Sequence, residues 1–226
     1  MLKFILPTYS RINLNFSHGK GVWLYSDNKK KYLDFTSGIA VNSLGHSHPL
    51  LINVLHKQSK KLWHTSNLYR IKEQEKLAEK LCKLSFANKV FFCNSGAEAT
   101  DGLIKIVRKY HFSRGDHSKT KIIVFDNAFH GRTLTGILAG SSESHRVGFL
   151  PHKKTNGGFI RVKLHSIKEI EKSIDNKVAG VFIEPIQGEG GINVADIEFL
   201  KKLRILCNKK KILLAFDEVQ SGIGRT

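Results

Sequence analysis

A chain of 226 residues, 41% hydrophobic and 9% aromatic, is long enough to bury a substantial core and too apolar for a disordered polymer. No apolar run approaches the roughly eighteen residues of a membrane span, and the odd set Cys82, Cys93 and Cys207 lacks metal-ligand spacing, which fits a reduced, cytoplasmic setting. The formal charge of +18 raises nucleic-acid binding, but it comes from 28 Lys against 9 Arg, dispersed and not interleaved with stacking aromatics. A solvated basic surface is therefore expected, with no nucleic-acid partner.

The opening apolar stretch Met1–Leu6 is cut by Pro7 too early for a secretory signal. Next, Val22–Asn28 and Lys31–Phe35 read as a small hairpin around a polar turn. Leu77, Leu81 and Leu84 mark an amphipathic helix. Beyond it, short apolar runs alternate with helices. Lys89–Cys93, Lys121–Phe125, Ala179–Ile183 and Ile212–Phe216 read as fully buried strands. Ser95 with Glu98 is a capping box ahead of Leu103, Ile106 and Val107, and Ser166 with Glu169 repeats it ahead of Ile170 and Ile174. Ile197, Leu200 and Leu203 mark a further helix, which ends in Lys209–Lys211, favourable for its dipole. Strand and helix in alternation predict an α/β fold with a mainly parallel sheet. Residues 1–50 are expected to form a separate N-terminal segment, and 51–226 the large domain.

In open α/β sheets ligands sit at the carboxyl ends of strands, and four such ends here carry polar residues or glycine. The first, Asn94–Ala99, offers Gly96 and the free N–H groups of a helix start, suited to an anion. The second, Asp126–Thr133, sets Phe129 near Arg132, an aromatic face beside a guanidinium that grips carboxylates. The third, Glu184–Gly191, carries Glu184 and Glu189 on a glycine-rich loop; they suit either an acid/base pair or a charge switch with an arginine. The fourth, Phe216–Gln220, places Asp217 directly after an apolar run, where a buried carboxylate requires a partner. A protonated pyridine nitrogen is one such partner.

Taken in order, these segments resemble the class-III aminotransferases of the pyridoxal-phosphate-dependent fold type I, and within them the acetylornithine/succinylornithine aminotransferases. The resemblance runs from Pro7 to Thr226 and includes Tyr32–Pro49 and Trp63–Tyr69. It implies the large-domain sheet of that fold, incomplete, behind a small N-terminal segment. It implies pyridoxal 5′-phosphate as cofactor. Ser95, Gly96 and Ala97 would hold its phosphate, Phe129 and Val219 would flank the ring, Asp217 would meet the ring nitrogen, and Gln220 the ring hydroxyl. His130 joins this cofactor set. Arg132 would bind the substrate carboxylate, Glu189 would match the switch acid, and Glu184 would help order the site.

The implied reaction moves the δ-amino group of N-acetylornithine to 2-oxoglutarate, in arginine biosynthesis, with succinyldiaminopimelate of lysine biosynthesis as a related donor. Intact relatives are implied to be homodimers. Thr100-Asp101-Gly102-Leu103 departs from the family's usual sequence after the phosphate loop. Gly38, where ornithine aminotransferases tend to carry tyrosine, leans toward an acylated donor. The Schiff-base lysine of the family lies downstream of the Asp217 motif, and all 28 lysines precede Asp217. The expectation is thus an N-terminal fragment without the catalytic lysine, inactive if this short. The alternatives are a non-catalytic pyridoxal-phosphate-binding remnant, or an ornithine or other ω-amino acid aminotransferase. Metal-dependent hydrolysis through His46, His48, Glu184 and Glu189 suffers from a scattered ligand set.

Overall fold

The computed structural model describes residues 4–150 and 156–226; Met1–Lys3 of the opening apolar stretch lie outside them. The chain resolves into two compact units, residues 1–80 with Arg225, and residues 81–224 with Thr226.

In the first unit, β1 (Phe16–Lys20), β2 (Trp23–Ser26) and β3 (Lys31–Leu33) form an antiparallel sheet. The β2–β3 hairpin is the one read from the sequence. Lys29 takes a positive φ in its turn, and the Ser26 and Lys30 backbones close it. β1 was not anticipated, because Phe16–Lys20 holds a Gly and three polar residues and has no alternation to betray a strand. Lys31 sits over the Trp23 ring at 3.7 Å, a cation–π contact across the hairpin. The single left-handed turn α1 (Ser37–Ala40) follows. Asp34 braces it, accepting hydrogen bonds from the Thr36 and Ser37 N–H groups at 3.1 and 2.8 Å and pairing with His46 Nε2 at 2.8 Å. These partners, His46 first, hold the Asp34 carboxyl down at about 2. His48 opens α2 (Pro49–Ser59), and its Nδ1 is buried without a hydrogen bond. α3 (Lys72–Lys83) carries Leu77 and Leu81, whereas Leu84 falls just beyond its end.

The second unit is built on a four-stranded parallel sheet of β4 (Lys121–Phe125), β5 (Phe159–Val162), β6 (Val178–Ile183) and β9 (Leu213–Phe216), in the order β5-β4-β6-β9. Side chains alternate across it. Ile123, Phe125, Val181 and Ile183 face one way, against α6 (Ile167–Ser173) and α7 (Ile197–Lys210) through Ile170, Phe199, Leu203 and Leu206. Ile122, Val124 and Phe182 face the other way, onto Ile104 and Val107 of α4 (Gly96–Ser113) and Ala139 of α5 (Leu134–Ala139). Helices on both faces explain why β4 and β6 are continuous apolar runs. His111 of α4 is a satisfied core histidine, its Nε2 2.8 Å from the Ala179 carbonyl. The short pair β7 (Ile186–Gln187) and β8 (Asn193–Val194) is antiparallel.

Four local readings change. Lys89–Cys93 forms no strand and Phe91 is 71% exposed: a strand requires a ladder partner, and no described strand runs beside it. Ile212–Phe216 is a strand from Leu213 but only half buried, because β9 lies at the sheet edge. β5 was missed, since Arg161 interrupts its apolar run. Finally, Ser166 makes no side-chain cap, and Glu169 instead accepts the Lys163 N–H at 3.3 Å. The Ser95 cap does form. Its Oγ accepts from Glu98 N at 3.2 Å, while the Glu98 carboxylate reaches back to Asn94 N at 2.6 Å. α7 starts at the Asp196 cap and ends at Lys211, a left-handed residue with φ 54°.

Candidate active site

Everything that follows lies in the second unit, where β4, β6 and β9 end on one side of the sheet. After β9, Asp217 is buried, and its own N–H donates to the Ile183 carbonyl at 2.7 Å, continuing the β6–β9 ladder by one step. The carboxylate is then fixed twice more. Oδ2 lies 2.7 Å from His130 Nδ1, and Oδ1 accepts the Val219 N–H at 3.1 Å. A carboxylate only accepts, so Nδ1 carries the hydrogen. The His130 ring stacks on Phe182 at 4.0 Å, and its Nε2 is buried with no hydrogen bond.

The loop after β4 holds Phe129 half buried, with its ring 6.1 Å from His145, edge to face. The Phe129 N–H donates to Glu184 Oε2 at 3.0 Å. Glu184 is 5% exposed. Burial is the main reason its carboxyl is pushed up to about 8; the negative charges of Asp217 and Glu189 add to it, and the Phe129 N–H opposes it. An uncharged Glu184 at neutral pH is the consequence.

Close approaches of glycine join the four strand ends. A Cβ on Gly96 would stand 2.6 Å from Val219 Cγ1, one on Gly131 3.2 Å from Ala97 Cα, and one on Gly188 would overlap Gln220. The helix start with Ser95, Gly96 and Ala97 is therefore packed against both the His130 loop and the Asp217 loop. Gln220 lies on the Gly188 loop. Thr133 caps α5 through Gly136 N and donates to Asp101 at 3.0 Å, which gives the unexpected Asp101 a local purpose.

Ser95, Gly96, Ala97, Phe129, His130, Glu184, Asp217, Val219 and Gln220 are thus brought to one place. Val219 is 64% exposed although it leans on Gly96. Arg132 and Glu189 are exposed on their loops. Gln187 was missed. Its buried amide donates to the Asp126 carbonyl at 2.7 Å and accepts from Asn193 Nδ2 at 3.3 Å, clasping the β7–β8 loop to the end of β4. The available signal was an amide immediately before the glycines of a loop leaving a buried strand. Among the described residues, no group of three His, Cys, Asp or Glu side chains could hold a metal ion. None of their helices is long and apolar enough to cross a membrane.

A parallel sheet with an anion-ready helix start and a buried acid at its carboxyl edge fits a transferase of the pyridoxal-phosphate fold type I, and comparison with known proteins places the chain there. Residues 5–226 match the model of the family described as aminotransferase class-III, and the chain belongs to that family. It is 52% identical over 222 residues to acetylornithine aminotransferase 1 of Bradyrhizobium diazoefficiens, covering 98% of this chain and 54% of that protein. It is 46% identical to an acetylornithine aminotransferase of Methanocaldococcus jannaschii, covering 99% and 56%. Among solved structures, N-acetylornithine aminotransferase from Stenotrophomonas maltophilia aligns at 38% identity with TM-score 0.81, over 96% of this chain and 54% of that one. Ornithine aminotransferase from Toxoplasma gondii, with partial occupancy of PLP at its active site, aligns at 30% and TM-score 0.90, over 97% and 52%. The chain spans about half the length of these relatives. The family's enzymes depend on pyridoxal phosphate, and the residues assembled here fit it: a buried carboxylate with lone pairs to spare, and a capped helix start that accepts no Cβ at Gly96.

Proposed function

We propose that this chain provides the cofactor pocket of an acetylornithine aminotransferase, which transfers the amino group of N-acetylornithine to 2-oxoglutarate in arginine biosynthesis. Residues 51–226 are read as the cofactor-binding large domain and 1–50 as part of the small domain. The observation that carries the proposal is the convergence on Asp217: a buried acid, fixed at both oxygens, beside the capped start of α4. Bound there, pyridoxal 5′-phosphate supplies an electron-withdrawing ring for amino-group transfer. Ser95, Gly96 and Ala97 receive the phosphate at the positive end of the helix. Phe129 and Val219 flank the ring, Asp217 faces its nitrogen and Gln220 its hydroxyl. Arg132 takes the substrate carboxylate and Glu189 acts as the switch acid, while Glu184 holds the Phe129 backbone.

Names among the relatives support an acylated donor over free ornithine, because the more similar sequences are acetylornithine enzymes and the ornithine aminotransferase structures align at lower identity. Gly38, in a left-handed turn with φ 66°, is consistent with this. Succinyldiaminopimelate is a second donor of the same shape. A homodimer in the cytoplasm completes the reading.

The test is an absorbance titration with pyridoxal 5′-phosphate. Uptake should be saturable, and Asp217→Asn should weaken it by at least about tenfold, the loss of roughly 1.4 kcal/mol. With cofactor bound, N-acetylornithine should perturb the spectrum at lower concentration than ornithine. Unsaturable uptake would refute the cofactor reading, and preference for ornithine the choice of donor.

A further inference from the structure

Glu189 sits in the run Gly188-Glu189-Gly190-Gly191, and a glycine-rich turn is the backbone least able to hold a side chain in one place unaided. The turn closes on itself through the Gly191 N–H, which donates to the Gly188 carbonyl at 3.3 Å, with Gly191 at φ 107°. At its base Gln187 of β7 stands directly opposite Asn193 of β8. Gln187 is 1% exposed, where an apolar side chain would be the ordinary choice. Its Nε2 donates to the Asp126 carbonyl at 2.7 Å, and its Oε1 accepts from Asn193 Nδ2 at 3.3 Å. That same Nδ2 donates to the Gly190 carbonyl at 2.8 Å. The carbonyls at the two ends of this relay only accept, so a single orientation of each amide satisfies it. It runs from the end of β4 into the turn, one residue past Glu189.

We propose that Gln187 and Asn193 are positioning residues for Glu189: their linked amides hold the turn against the end of β4, so that the Glu189 carboxylate stays at the strand ends beside Glu184. The inference rests on the reading of Glu189 as the switch acid and adds what keeps that acid in place. Shape alone is not what these two positions supply. An apolar cross-strand pair would hold the β7–β8 ladder as well, but it would give no donor to the Asp126 or Gly190 carbonyl. The turn is also seated tightly. Gly190 lies so near the Asn127 carbonyl that no Cβ fits, and Gly188 lies against the Gln220 side chain. Those approaches require the turn to stay close, and the amide relay ties it there.

The Glu184 carboxyl reports where Glu189 is. Burial raises it most, the Phe129 N–H opposes the rise, and the charges of Asp217 (itself paired with His130) and Glu189 add to it. Moving Glu189 away therefore lowers it. Asn193→Leu and Gln187→Met keep the side-chain shape and delete the donors. The cofactor-free chain, these two variants, Glu189→Gln and each variant combined with Glu189→Gln are labelled with ¹³C at the glutamate carboxyls, and Glu184 is titrated by NMR. Glu189→Gln should lower its midpoint by at least about 0.3 pH unit, the effect of one screened charge. Asn193→Leu and Gln187→Met should each give more than about half of that shift and add nothing once Glu189 is glutamine, the signature of coupled sites. A merely structural pair would shift Glu184 equally in both backgrounds or not at all, and either result would overturn the proposal. So would an unmoved midpoint in Glu189→Gln, which would place that acid elsewhere. If Gln187→Met does not fold, Asn193→Leu, at a partly buried position, decides alone. Pyridoxal 5′-phosphate added to the wild type tests the reading beneath. The expected shifts in a protein that takes up no cofactor would overturn that reading and still support the placement of Glu189 by its relay.

Discussion

Replacing Glu184 with glutamine should make the protein more stable in alkali while changing little in acid. In the folded chain the carboxyl titrates at about 8 against an ordinary 4.5. Its proton is therefore held more tightly when folded, and stability from this group is complete below about pH 4.5. It declines as pH rises toward 8 and stays low beyond. At 1.36 kcal/mol per unit, the span corresponds to at most about 5 kcal/mol. Relaxation and water entry around a newly charged group reduce such figures, so a difference of about 2 kcal/mol is expected. Glutamine keeps an oxygen for the Phe129 N–H, now 3.0 Å from Oε2. Any cost of burying its amide is independent of pH and cancels in the comparison. Urea unfolding at pH 5, 7 and 9 gives the variant-minus-wild-type stability at each. It should grow with pH, more between pH 5 and 7 than between pH 7 and 9, and level off above pH 8. A flat difference, or one that shrinks with pH, would refute the claim that Glu184 is buried beside like charges.

Gly188→Ala and Gly190→Ala should separate sharply. A Cβ at Gly188 meets the flexible end of Gln220, but one at Gly190 would collide with the Asn127 backbone carbonyl. The first should leave thermal stability within about 1 kcal/mol of wild type and weaken cofactor uptake, while the second should destabilise by more than about 1 kcal/mol; calorimetry and titration report both. Leu203→Ala removes a side chain with no exposure from the α7 face of the sheet, and denaturant unfolding should show a loss of about 2–5 kcal/mol. Thr133→Ala should cost about 1 kcal/mol through the lost α5 cap, with a further loss if Asp101 is left without its donor.

The strand-end residues were legible because an acid or glycine directly after an apolar run has few places to go in a parallel sheet. Asp217 is the clearest instance: five apolar residues placed it at the sheet's carboxyl edge before any contact was known. The pairing of Asp217 with His130 was not legible, because 87 positions separate them and only sheet order brings β4 and β9 to either side of β6. The same distance hides Gln187 and Asp126. Lys89–Cys93 shows the opposite failure, in which a strand-like composition supplied propensity without a partner, and pairing, not propensity, makes a strand. Ser166 and Glu169 had the spacing of a capping box, but the glutamate's nearest N–H was that of Lys163, three residues before the intended serine. Capping boxes are therefore better read as candidates for local backbone bonding than as fixed pairs.

The strand order β5-β4-β6-β9 has a consequence for synthesis. Parallel neighbours cannot be joined by a tight turn, so each pairing waits for a whole crossover to leave the ribosome. β4 emerges early and stays unpaired until β5 arrives; β6 then takes its other edge, and only afterwards can β9 dock. Such non-local pairing is slow. Asp217 follows β9 directly, so its contact with His130 forms only once β9 has docked on β6. Any ligand that depends on that acid meets β4, β6 and β9 already paired, and it stabilises that pairing without helping to start it.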